Sequence, residues 1–390
     1  MNSYDEWSPL KEIIVGSAAN YSWHERELSF ELFFYDQISN QKSFHDRMYY
    51  PHLEAPSRDA DDTETADNAD HRANAGRSPI KRRYVEELNE DVEGLVEILE
   101  SLGVTVHRPL SVEGSMEIRT PAWPAAVVPP LNIRDNTLIL GDEIIETPPQ
   151  VRSRYFETQF LTPVFNEYFR QGARWTVMPR PLMTDSSFDP SYVNGGPVEF
   201  IADPKPSPYD VGFEMMIDGA QCVRLGKDLL VNIATANHAM ACDWLERHLA
   251  GRITVHRVHG LADGHVDSMV LALRPGLLLV RTPAVVDSLP PALQKWDMIF
   301  PPEPDANNFP TYEDDDLILT SPYIDLNILS ISPDTVMINE ANGELIRVME
   351  RNGFTVVPFR HRHRRIFGGG LHCFTLDTVR EGSVPESYLS

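Results

Sequence analysis

The chain has 390 residues, an apolar share of 42%, and 58 acidic against 34 basic side chains, for a formal net charge of −24. That excess of negative charge repels phosphate backbones and anionic bilayer surfaces, which argues against nucleic acid or membrane as a partner. No apolar run reaches the ~18 residues of a membrane span, the start MNSYDEWSPL lacks a basic-then-apolar signal pattern, and Cys222, Cys242 and Cys373 are too few for a disulfide framework, so a cytoplasmic protein with reduced thiols is expected.

The first predicted strand is KEIIVG, residues 11–16. A polar, acidic stretch at about 55–80 then interrupts the chain and reads as a surface insertion. The amphipathic segment YVEELNEDVEGLVEILESLG predicts a helix that gives way to the strand VTVHRP.

From there one pattern recurs four times, in RDNTLILGDEIIE, IDGAQCVRLGKDLLVN, HVDSMVLALRPGLLLV and LNILSISPDTVMIN. Each has two apolar runs around a turn dipeptide, which predicts a hairpin. After most hairpins comes a helical segment, VRSRYFETQFLTPVFNEYFRQG, NHAMACDWLERHLAG or NGELIRVMERNG, followed by a strand, ARWTVMP, RITVHRV or FTVVPF. Taking KEIIVG and the final LHCFTLD as halves of a split unit gives five units. Stacked around an axis, such units predict a five-bladed α/β propeller in one domain spanning 1–390.

In that geometry the residues entering each first strand share a relative position facing the axis. They are Asp135, Asp218, Asp267, Asn327 and Cys373, with His265 two places before Asp267. Carboxylates crowded into one pocket repel each other unless a cation lies between them, and a guanidinium is a planar cation that pairs with them bidentately. A thiolate below its central carbon could attack, with an imidazole as acid and base. Taken singly, Cys373 could equally be a small core residue, His265 a surface histidine, and Asp135 and Asp218 turn residues.

The motifs DEWSPLKEIIVG, GDEIIETPPQVRSRYFE and FGGGLHCFTLD resemble those of the amidinotransferases, the group of glycine amidinotransferase and inosamine-phosphate amidinotransferase. This resemblance implies the pentein fold, a five-bladed α/β propeller, and transfer of an amidino group from a guanidino donor, with L-arginine the expected one, to an amine acceptor of a specialised-metabolite precursor. It implies Cys373 as nucleophile, His265 as acid/base, Asp218 as the carboxylate orienting it, and Asp135 and Asp267 as guanidinium holders. Arg281, Ser321 and Asn327 are further expected substrate contacts. No metal, no organic cofactor and a homodimer are also implied. A deiminase-like hydrolase of the same fold is the alternative, and an inactive binding homologue a third.

The departures from the family pattern are Ile133 for a proline, Gly219 and Gln221 in IDGAQ, Gly264 before His265, and Val285 where the family carries an arginine for the donor's carboxylate. Arg281 stands nearby as a substitute. Gly219 is expected to add flexibility, the HRHRRIF stretch at 361–367 to be a solvated loop, and Gly368–Gly370 to bring backbone close to the substrate.

Overall fold

Turn dipeptides between apolar runs fold as expected in the computed structural model, which describes residues 1–22, 27–30, 80–111, 116–188, 214–259, 261–262, 265–312 and 320–389. The four hairpins pair in antiparallel register, Leu138 with Ile145, Val223 with Leu230, Leu271 with Leu279 and Ser330 with Val336. Most of these strand residues are buried on both faces, which is why the runs are nearly continuous in apolar residues.

Each hairpin gains a third strand, parallel to its second: Arg174–Val177, Thr254–His259, Asp297–Ile299 and Thr355–Phe359. A parallel partner needs a crossover, supplied by helices such as Thr162–Arg170, Ala236–Leu249 and Gly343–Arg351. The fifth three-stranded sheet joins the two ends of the chain. There Leu10–Val15 lies antiparallel to Thr375–Arg380, with Ile13 opposite Asp377, and parallel to Thr105–His107. The helix Arg82–Ser101 covers it, burying Leu88, Val92, Leu95 and Leu99 in a cluster with Ile13, Phe359 and Phe374.

Some expectations differ. The predicted helix from Val151 is broken into single turns at Arg152–Arg154 and Glu157–Leu161 before Thr162–Arg170 begins with a proline in its first turn. Arg152 and Arg154 are buried and need polar partners there. The crossover of the third hairpin is only the short helix Pro283–Val286 and a turn at Leu293–Lys295. A two-stranded sheet, Glu117–Arg119 with Pro124–Ala126, was not foreseen. The 55–80 insertion, apart from residue 80, and Gly264 lie outside the described residues. No described helix is long and apolar enough to cross a membrane.

Candidate active site

Five short turns deliver the site, one ahead of the first strand of each three-stranded sheet. Asp135 lies two residues before Thr137–Leu140, Asp218 caps the turn Gly219–Gln221 that feeds Cys222–Leu225, and Asp267 sits in the turn Val266–Ser268 before Val270–Arg274. Asn327 follows the turn Pro322–Leu326, and Cys373 lies two residues before Thr375–Arg380. All five are buried.

A carboxylate oxygen of Asp135, a ring nitrogen of His265 and Sγ of Cys373 all lie within 4.8 Å of one another. His265 Nε2 is 2.9 Å from Asp218 Oδ2, and its Nδ1 is 3.6 Å from Asp135 Oδ1, so the ring stands between two carboxylates. Burial is the largest influence on this imidazole and opposes its charge. Asp135, Asp218 and the hydrogen bond with Cys373 together outweigh it and hold the pKa well above the usual histidine value. Burial, then the charge of Asp267, pushes the Cys373 thiol up to about 12 against the pull of His265. Both shifts favour the protonated forms, an imidazolium at His265 and a thiol at Cys373.

Both carboxylates expected to hold a guanidinium are already partly engaged. Asp135 Oδ2 accepts from Arg154 Nη1 at 2.7 Å, while Asp135 Oδ1 is buried with no hydrogen bond among the described residues. Arg154 also grips Glu157 and the Asn132 carbonyl, the latter at 2.7 Å. Asp267 Oδ2 accepts from the Cys373 thiol at 3.4 Å and from His372 Nδ1 at 2.9 Å. Burial acts to raise the Asp267 pKa, but His372 and His265 outweigh it and lower it. Asn327 is turned to the backbone, where its Oδ1 accepts from the Cys373 N–H at 2.9 Å, so it positions the thiol's own residue.

The glycines before Cys373 are required by packing. A Cβ on Gly369 would fall 2.2 Å from Asn132 Oδ1 and 3.0 Å from Cys373 Cβ, and one on Gly370 would fall 2.8 Å from Asn327 Cβ. Gly219 is likewise a close-packing residue and not a source of flexibility, since its Cβ would meet the Arg134 and Thr137 carbonyl oxygens at 2.7 and 2.8 Å. Gln221 is structural, accepting from Asn232 Nδ2 at 2.8 Å. Ile133 is core, as are Cys222 and Cys242, whose thiols burial pushes up.

Arg281 comes to the turn that Ser321 begins. Its guanidinium lies 4.2 Å from the centre of the Tyr323 ring, and Ser321 Oγ accepts from the Tyr323 N–H at 3.2 Å. Nη1 of Arg281 reaches Met269 Sδ at 3.3 Å, and no carboxylate hydrogen-bonds to it among the described residues. Burial lowers the pKa of this arginine. Val285 is buried in an apolar cluster with Leu289 and Leu293.

The HRHRRIF stretch is not a solvated loop. His361, His363 and Arg364 are buried. Arg364 Nη2 donates to Asp325 Oδ2 at 2.9 Å, Arg362 Nε to Asp91 Oδ1 at 3.0 Å, and His363 pairs with Glu87. The loop is thus fastened to the helix Arg82–Ser101 directly ahead of the glycines. Among the residues missed by sequence reading are Arg154 and His372, although RSRYFE and LHC had both been singled out as motifs.

No family model matches the chain. It is 32% identical over 388 residues to inosamine-phosphate amidinotransferase 1 of Streptomyces glaucescens, covering 99% of this chain and 98% of that one. It is 32% identical over 321 residues to the L-arginine:L-lysine amidinotransferase of Pseudomonas savastanoi pv. phaseolicola, covering 82% and 85%. Among solved structures, the inosamine-phosphate amidinotransferase of Streptomyces griseus is similar with a TM-score of 0.78 at 30% identity, covering 100% of this chain and 99% of that one.

Proposed function

The chain belongs to the amidinotransferase family, and on that premise we propose that it moves an amidino group from L-arginine to an amine of a specialised-metabolite precursor through a covalent adduct on Cys373. The observation that carries this reading is the buried convergence of Asp135, His265 and Cys373 within 4.8 Å. In this reading the five three-stranded sheets are the blades of one closed pentein propeller, a single domain. The enzyme acts in the cytoplasm as a homodimer, without metal or organic cofactor.

The donor's guanidinium enters between Asp135 and Asp267 and offsets their charge, which lets the thiol release its proton to solvent at lower pH and attack as the thiolate. Cys373 Sγ bonds to the guanidinium carbon. The bond from that carbon to the donor's alkyl nitrogen then breaks, and His265, already protonated, gives its proton to the departing amine. Ornithine leaves and an amidino-thiouronium remains on Cys373. The acceptor amine attacks the same carbon, the now neutral His265 takes its proton, and the C–S bond breaks to regenerate the thiolate. Arg281, with Ser321 beside it, binds the donor's α-carboxylate in place of the family's arginine.

Incubation with arginine and candidate amines tests this directly. Ornithine should form only with an acceptor, and intact mass should show one amidino group that is absent in Cys373→Ala. Citrulline and ammonia from arginine and water alone would mark a hydrolase instead. No adduct and no turnover with any guanidino donor would sink the proposal.

A further inference from the structure

His372 sits between the site and a buried cluster of ions that the transfer chemistry does not use. On one side its Nδ1 lies 2.9 Å from Asp267 Oδ2, the same oxygen that takes the Cys373 thiol at 3.4 Å. On the other, its Nε2 lies 3.4 Å from Glu6 Oε2. Glu6 is clamped by Arg224, with Nε to Oε1 at 2.8 Å and Nη2 to Oε2 at 2.7 Å. Arg224 Nη2 also donates to Asp377 Oδ2 at 2.7 Å, and Asp377 takes Arg134 at 2.7 Å and Arg380 at 2.6 Å. Arg134 Nε closes the loop by donating to the His372 carbonyl at 2.8 Å.

A carboxylate can turn about its own bond, and Asp267 is placed to meet both the thiol and an incoming guanidinium. With its partner ring held at both edges and at its backbone, it has one orientation. We propose that His372 is a positioning residue that fixes the Asp267 carboxylate against Cys373 and anchors it to the buried cluster of Glu6, Arg224 and Asp377. The proposal rests on the reading of Cys373 as the amidino-accepting thiol.

Two amide replacements separate the ring's edges. In His372→Asn the amide nitrogen is bonded where Nδ1 is and can reach Asp267; in His372→Gln it stands where Nε2 does and can reach only Glu6. The measurement is steady-state ornithine formation, with donor KM and kcat separated, alongside amidino-adduct mass and melting temperature. His372→Ala and His372→Gln should lose on the order of 10²-fold in kcat/KM for the donor, largely through KM. His372→Asn should stay within several-fold of wild type although it melts no higher than His372→Gln. Equal loss in the Asn and Gln variants, or losses that follow melting temperature across all three, would overturn the positioning role while wild-type adduct formation left the transfer reading intact. A wild-type protein that forms no adduct would overturn both.

Discussion

His265 Nε2 stands 2.9 Å from Asp218 Oδ2, a side chain 47 residues earlier that caps its own turn without using its carboxylate there. A carboxylate left free by its local backbone is available to orient a ring on another sheet. Asp218→Asn should therefore lower kcat on the order of 10²–10⁴-fold with little change in donor KM. Ornithine release under saturating donor measures it, and an unchanged kcat would remove Asp218 from the chemistry.

The thiol and the imidazole titrate in the same unusual direction. Burial and Asp267 push Cys373 up to about 12, so the thiol is protonated at neutral pH, while carboxylates hold His265 protonated well above its usual range. The rate constant kcat/KM follows the free enzyme, so it should climb with pH from 7 towards 9 as the thiolate fraction grows, with no fall near ~6.5 from loss of the His265 proton. A bell centred near neutrality would contradict this charge assignment. Thiolate absorbance in the ultraviolet should be low in the free protein and increase when a guanidino donor binds.

Arg281 is a cation over the Tyr323 ring with no carboxylate bonded to it among the described residues. If it grips the donor's α-carboxylate, Arg281→Met should raise the KM for arginine by about 10–100-fold, the worth of a charged hydrogen bond of about 1.5–3 kcal/mol. The decarboxylated donor agmatine should react equally in both proteins. Parallel losses for arginine and agmatine would assign Arg281 to packing alone.

Asp377 is buried among Arg134, Arg224 and Arg380. Burial works to raise its pKa, but these three cations outweigh it and hold the carboxyl well below the usual range. A carboxylate depressed in the folded state gives stability that is present above its unfolded pKa of ~4 and is lost as pH falls through the folded value. Wild type should therefore lose stability in acid below about pH 4. Asp377→Asn should cost about 3–5 kcal/mol at neutral pH and flatten that acid dependence. Urea unfolding at several pH values measures both.

Much of this molecule is written locally. Nearly continuous apolar runs around Gly-Asp or Pro-Gly turns specify a hairpin within a dozen residues, and Leu138 opposite Ile145 needs no distant partner to be foreseen. The positions of Asp135, Asp218, Asp267, Asn327 and Cys373 followed because each belongs to a repeated turn. Side chains whose partners come from other sheets were not legible. His372 looks like an ordinary strand histidine until Asp267, 105 residues earlier, is brought to it. The HRHRRIF stretch reads as solvated because its charges are visible in sequence, while Asp325, Glu87 and Asp91, which bury them, are not adjacent to it. Val285 shows the reverse case. A position expected to carry a charge lies in an apolar cluster, so an arginine returned there would be buried without a partner.

The pairing of Leu10–Val15 with Thr375–Arg380 sets a timetable for synthesis. At roughly 5–20 residues per second, Ile13 waits on the order of 20–70 s before Asp377 exists to lie opposite it. Until then an apolar strand has an open edge, and the arginines around Asp377 have no common counter-ion. Cys373 is made with the very segment that ends this wait, so a nascent chain has no working thiol until its scaffold can close. The thiol and the strand that closes its sheet are thus completed together.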